Sequence, residues 1–423
     1  MSVVTSLLKP TVRSRSTGRG SAPNVVRRET HAPDFVVLVA VVALTAIGVL
    51  VVYSSSAMQA YAGSANSFAI VGPQVVWGAL GLIALMVMTR VDYRRLRLLS
   101  VPLYILAIVL LVLVFIPQFN RVVGGSARFL QIGPLPAIHP AEVGKLALVV
   151  YLAHWLTRRG TEVRSFWRGF GPFLLIYVPL VLLVIAEPDL GTASVLAVTG
   201  LLMVFIAGAR LSHLAALTAL GVTGVAAFML HGYQLERIRI WLNPWQDTSG
   251  AGYHAIQGLL ALGLGGIFGA GLGQSQIAGG IALPNASNDF IFAVIGEEFG
   301  LIGAGIVIAL FVILAYQGVR ISLAAPDTFG ALLAAGITAW LCVQAFINIA
   351  VVVALIPITG ITLPFISAGG SSLSISLAAV GILLSISRET VERGTFEHAP
   401  ADRGRRNGRA HLPRTGRRPV TSH

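Results

Sequence analysis

Apolar runs recur along the whole chain, separated by short breaks rich in charge, proline and glycine. Ten windows stand out, near 35–54, 70–89, 99–117, 139–156, 170–187, 190–208, 211–231, 289–316, 328–355 and 364–387. At about 1.5 Å per residue, runs of this kind are long enough to cross a bilayer core roughly 30 Å thick as helices. The pattern predicts an all-α polytopic membrane protein of about ten transmembrane helices. Two breaks are too long to be simple turns: 118–138 and 232–288. The second contains "GLLALGLGGIFGAGLGQSQIAGG", apolar but too broken by glycine for a spanning helix. It predicts a re-entrant or interfacial segment, because irregular backbone at membrane depth must be buried in protein or line a cavity.

Composition agrees with a membrane location. The chain is 55% hydrophobic and 11% charged, with a mean hydropathy of +0.81, which excludes an ordinary soluble domain. Cys342 is the one cysteine, so no disulfide within the chain and no cysteine-rich zinc site can form. The net charge of +13 lies in the breaks and at the two ends, as membrane orientation requires, and nucleic acid is not expected as a partner. With the first residues cytoplasmic, the cytoplasmic segments carry 25 Lys and Arg, while the outer segments carry only Arg121, Arg128, Arg237 and Arg239. Ten spans then place both ends inside and the long 232–288 break outside. Residues 1–33 and 388–423 read as basic disordered cytoplasmic tails flanking a membrane domain over 34–387. The first apolar run starts too late and is too long for a signal peptide, so it reads as an uncleaved first span.

Against this background, ionisable groups inside or beside apolar runs are the candidates for chemistry, since each costs a few kcal/mol to insert. "LPNASNDFIFAVIGEEFG" places Asp289 at the opening of the eighth window, with Glu297 and Glu298 deeper along it. Asp289 either caps that helix or lines an outer cleft; the two glutamates hold neighbouring helices together or share the cleft. Glu142 and Lys145 are three apart and share a helix face. They neutralise one another, or Lys145 offers its charge to a phosphate with Glu142 positioning it. Glu187 and Asp189 sit at a corner broken by Pro188 and Gly191, where Asp189 either caps the next helix or joins the site. Arg128, Arg237 and Arg239 are outer arginines suited to phosphate oxygens. No phosphate-binding glycine loop of either nucleotide type is present, nor a His-x-x-x-His or Ser–His–Asp arrangement. No cofactor is evident.

Several of these stretches resemble one family. "LPNASNDFIFAVIGEEFGLIGA", "AEPDLGTA" at 186–193, "GGSARFLQIGPLPAIHPAEVGKLALVVYLA" at 124–153 and "LPFISAGGSSL" at 363–373 are similar to signatures of the shape, elongation, division and sporulation (SEDS) family. So is "LNPWQDTSGAGYHAIQGLLALGLGGIFGAGLGQS" at 242–275, and the resemblance runs in order from about 34 to 390. It implies a ten-span peptidoglycan glycosyltransferase polymerising lipid II, the undecaprenyl-diphosphate-linked disaccharide pentapeptide, at the outer face of the bacterial cytoplasmic membrane. It also implies a class B penicillin-binding protein as transpeptidase partner and places the family's essential aspartate at Asp289 and its paired glutamate and lysine at Glu142 and Lys145. "VVYSSSA" at 51–57 and "LPNASNDF" resemble the division branch, implying other divisome proteins as partners and work at the septum. His139 stands where Gln is common, Ala368 where Tyr is common and Ser287 where His is common.

In the implied reaction Asp289 takes the proton of the acceptor hydroxyl, and Lys145, the outer arginines or a divalent cation such as Mg2+ or Mn2+ face the leaving diphosphate. An elongation-type polymerase, a lipid II flippase and a non-catalytic division scaffold are the alternatives, since ten spans do not fix function.

Overall fold

The computed structural model describes residues 31–61, 67–123, 126–131, 133, 137–229, 233–248, 251–277, 283 and 286–389. Ten helices match the ten apolar windows in order. They are Phe35–Tyr61 (α1), Ser67–Arg90 (α2), Leu96–Val114 (α3), Pro140–Arg159 (α4), Gly171–Ala186 (α5), Leu190–Ile206 (α6), Leu211–Met229 (α7), Ile291–Ala324 (α10), Thr328–Val352 (α11) and Ser371–Ser387 (α12). Two shorter helices, Tyr233–Leu242 (α8) and Ala251–Gly265 (α9), fall in the long break after α7. By length and composition six of these segments suffice to cross a membrane, while α6, α7 and α12 are shorter apolar helices. The chain is a multi-pass membrane protein. Leu, Val and Ile face outward along α1, α2, α3 and α10, as helices that meet lipid require.

The more polar α4 is the exception, and it is buried. It carries Glu142, Lys145 and two terminal arginines, and α3, α6 and α11 pack around it. Pro140 opens it at a position where a missing N–H costs nothing. Among the described residues the only strands are Asn120–Val123 (β1) and Ser126–Leu130 (β2), an antiparallel pair with a register shift between Arg121 and Val122. The apolar pattern did not reveal this hairpin.

The long break takes a definite form. Part of its glycine-dense stretch is regular, since α9 runs to Gly265; the loop after it docks on α10. There α10 is broken: Gly300 has φ 65° and ψ −162°. Backbone groups freed by the break bond to the loop. Ala270 and Gly271 donate to the carbonyls of Glu297 and Glu298 at 2.8 and 3.0 Å, and Leu301 donates to Gly266 O at 2.9 Å. A side chain at Gly300 would stand 2.5 Å from both Gly269 N and Ile267 O. The break is thereby satisfied inside the protein, as a bilayer demands.

Three details correct the sequence reading. The eighth helix begins at Ile291, so Asp289 lies in the turn ahead of it and shares no helical face with Glu297 or Glu298. That helix extends to Ala324, and the last helix begins only at Ser371. Residues 364–370 form instead the end of a loop between α11 and α12, where Pro364 and two glycines oppose helix formation. The expected tails lie outside the described residues, except for 31–33 and 388–389. At that end of the bundle the chain closes on itself: His31 N–H donates to Arg388 O at 2.9 Å and Asp34 N–H to Ser387 Oγ at 3.0 Å.

Candidate active site

At the opposite end from this closure, several segments converge. The turn 286–290 is held by the α11–α12 loop. Ser367 Oγ donates to Asn288 O at 2.6 Å, and Ala368 N–H donates to Ser287 O at 2.9 Å. Asn348, on α11, is 1% exposed and spans both pieces, its Nδ2 donating to Asp289 O at 2.9 Å and Ile361 O at 2.7 Å. Ala286, Phe290 and Ile291 are buried beneath. Asp289 is thus fixed by backbone contacts, leaving its side chain available. The N-cap of α10 is Phe290, with no side-chain cap bond, which removes the capping reading.

Asp289 lines a cavity of about 490 Å³, together with Arg128, His139, Glu142, Asp189 and His254. This lies within the usual range for small-molecule sites, about 300–1,000 Å³. Asp289 Oδ2 and Arg128 Nη1 flank Gly360, whose φ is +72°; a Cβ there would lie 3.5 and 3.8 Å from them. Arg128 comes from β2 and is anchored by Nη2 donating to Pro188 O at 2.6 Å. Asp189 caps α6, accepting from Thr192 N–H at 3.0 Å through Oδ1, while Oδ2 lies 3.4 Å from His139 Nε2. It therefore caps and also faces the cavity.

The acids of this end are in different electrostatic states. Burial pushes the Asp289 carboxyl up to about 6, with Arg128 opposing and Asp189 adding. Burial also pushes Glu187 up to about 8, helped by Asp189 and opposed by Arg128. Asp189 goes the other way: burial is outweighed by His139, Arg128 and the Thr192 N–H, which hold it down to about 2. Asp189 is ionised, Glu187 is chiefly protonated at neutral pH, and Asp289 can exchange a proton near neutrality.

The remaining sequence candidates separate. Lys145 is 2% exposed and is not part of the cavity wall. Its Nζ donates to Glu142 Oε1 at 2.8 Å and Gln344 Oε1 at 2.6 Å, over the Trp340 ring at 5.3 Å. A phosphate in the cavity meets Glu142 before Lys145, a geometry that favours mutual neutralisation of the pair. Glu297 accepts from Ser275 Oγ and from the N–H groups of Gln276 and Ile277, at 2.6, 2.7 and 2.9 Å. Glu298 accepts from Ser54 Oγ at 2.5 Å and Gly273 N–H at 3.2 Å. Both hold the glycine loop, and neither lines the cavity. Arg239 is exposed and outside the wall; the Arg237 side chain lies outside the described residues. Sequence reasoning missed Asn348, His139 and Gly360. Only the polar residue directly before "PAE", departing from the usual Gln, gave a signal for one of them.

Comparison with known proteins places this arrangement. Residues 35–392 match the FtsW/RodA/SpoVE family of cell cycle proteins. The chain belongs to that family. Among FtsW/RodA/SpoVE relatives, it is 42% identical over 358 residues to stage V sporulation protein E of Bacillus subtilis (strain 168), covering 84% of this chain and 97% of that one. It is 39% identical over 361 residues to a probable peptidoglycan glycosyltransferase FtsW of Geobacter metallireducens, covering 85% and 96%. A chain from a peptidoglycan synthase complex that coordinates polymerization and crosslinking superposes with a TM-score of 0.70 at 29% identity, covering 84% of this chain and 98% of that one. The fold of the FtsW/RodA/SpoVE family is therefore that of the whole membrane domain, and the cavity with Asp289 sits within it.

Proposed function

We propose that this chain is a peptidoglycan glycosyltransferase that polymerises lipid II. The observation that carries this is Asp289, backed by Asn348 and the α11–α12 loop, facing a cavity beside Arg128 within the fold of this family. The acceptor sugar's 4-hydroxyl attacks the anomeric carbon of the donor sugar carried on undecaprenyl diphosphate. Asp289 takes the hydroxyl proton, and a carboxyl with a value of about 6 can be ionised at neutral pH yet still bind that proton. The C–O bond to the diphosphate breaks with inversion, and its electron pair leaves with the phosphate oxygen. Arg128 meets the charge that develops there. The donor's diphosphate supplies the driving force.

A Mg2+ or Mn2+ ion would add Lewis-acid charge stabilisation. Such an ion needs only one or two carboxylates plus substrate phosphates. Asp289 and Glu142, whose buried Oε2 has no partner among the described residues, are placed to hold it. No protein cage of three or more ligands occurs among the described residues.

The asymmetry of 25 basic residues to four supports a cavity on the outer face with both ends cytoplasmic. The similarity to FtsW relatives supports a septal role, and that to the synthase complex supports a crosslinking transpeptidase as partner. The test is labelled lipid II given to the full chain with such a transpeptidase. Wild type should make glycan strands, whereas Asp289→Asn should lower the rate by at least about 100-fold while inserting and folding normally. Wild-type rates from that variant would remove Asp289 from catalysis. Movement of lipid II across vesicles with no glycan made would favour a flippase.

A further inference from the structure

The cavity wall contains a basic ring to which no motif assigned a role. His139 stands just ahead of α4, and its backbone N–H donates to Ser371 Oγ at 3.1 Å, which fixes the helix entry without using the imidazole. The ring Nε2 lies 3.4 Å from Asp189 Oδ2, and Asp189 is itself immobilised by capping α6. A carboxylate only accepts, so Nε2 carries the proton in this pair. Nδ1 makes no hydrogen bond to a described residue, and the side chain lines the cavity. Arg128 reaches the same place by bonding Pro188 O. Consecutive residues, Pro188 and Asp189, therefore hold a guanidinium and an imidazole at one corner of the cavity.

The charge balance makes that pairing significant. Glu142, Asp189 and Asp289 face the cavity, while Arg128 is the one Arg or Lys among the described residues of its wall. Lys145 is buried behind Glu142 and already engaged by two acceptors. A diphosphate leaving group gains one further negative charge as the C–O bond breaks, and among the described residues it meets one guanidinium and three carboxylates. An imidazole with one nitrogen held by a carboxylate and the other unbonded is a fitting second group. As an imidazolium it donates from both nitrogens, so Nε2–H stays on Asp189 while Nδ1–H is open to the cavity.

We propose that His139 is a further catalytic residue of this cavity, donating from Nδ1–H to the diphosphate leaving group beside Arg128. This rests on the polymerase reading above. The step keeps its balance: the acceptor hydroxyl proton goes to Asp289, the new sugar–oxygen bond forms, and the broken bond's electrons leave with the diphosphate. His139 retains its proton throughout and stabilises the product by hydrogen bond and charge.

The full chain with its transpeptidase partner serves for the test, using lipid II as substrate and undecaprenyl diphosphate as the product probe. His139→Ala should lower kcat by roughly 100-fold, as loss of one transition-state donor does, with KM within about threefold. Inhibition by undecaprenyl diphosphate should weaken by at least about tenfold, beyond any fall in thermal midpoint from leaving Asp189 without its partner. His139→Gln keeps two side-chain N–H donors and should recover kcat to within about tenfold of wild type. Unchanged kcat in His139→Ala, or a fall in kcat and thermal midpoint with product inhibition intact, would overturn the proposal. Binding of undecaprenyl diphosphate to wild type and His139→Ala, read by thermal shift, tests the contact even if wild type makes no glycan. That last result would defeat the polymerase reading, whereas equal binding by the two proteins would defeat the role of His139.

Discussion

A carboxyl held near 6 by burial does work only on one side of that value. Asp289 must be ionised to accept a proton, so log kcat/KM should rise with pH below about 6 and level off above it. A pH–rate profile that falls from about pH 5 to 7 would contradict this sign. The Glu142–Lys145 pair makes a different claim. Lys145→Ala strands a carboxylate that is 4% exposed and whose Oε2 already has no partner among the described residues. Leaving a buried charge alone costs about 3–5 kcal/mol, whereas removing both charges costs less. Thermal stability in detergent should therefore be lower for Lys145→Ala than for Glu142→Ala with Lys145→Ala. If the double variant folds well yet makes no glycan, the pair touches the reaction. Asp289, Glu142 and Asp189 were legible in the sequence because charge in an apolar run is expensive and stands out. Asn348 and Gly360 were not, since each is ordinary in its own stretch, and His139 stood out only as a departure from Gln; all three acquire their places only when distant segments meet.

Elements were legible for a similar reason. A helix that meets lipid must be apolar over its length, and even the buried, more polar α4 kept enough apolar residues to appear as a window. Their ends were not, because a window cannot tell a helical apolar residue from one in a buried loop. Residues 364–370 were assigned to a helix on that ground and instead brace the turn that carries Asp289. The break at Gly300 was also invisible, though the glycines opposite it were noted. Gly300→Ala forces a side chain into left-handed backbone and against the main chain of Gly269 and Ile267. It should cost about 1–3 kcal/mol or more. Gly305→Ala, one turn further on with nothing within 4 Å, should be neutral or slightly stabilising. Thermal midpoints of the two variants compare them directly, and equal values would mean that the glycine loop yields at little cost.

For the molecule as a whole, the proposed orientation sets the cavity and the basic tails on opposite sides of the membrane. Residues 1–33 carry six basic residues and 388–423 carry nine, each able to add about 1 kcal/mol of attraction near an anionic leaflet. Removing both tails should leave polymerisation in detergent nearly unchanged and impair placement at the septum, as fluorescence of the tagged protein would show. Normal placement with lost polymerisation would refute both halves. The backbone contact between His31 and Arg388 adds a geometric consequence. Two charged chains leaving from points one hydrogen bond apart share an effective concentration in the millimolar range. An acidic partner that gripped one tail would meet the other almost at once, so such a pair would behave as a bivalent clasp. Deleting either tail alone then forfeits most of the avidity that both provide.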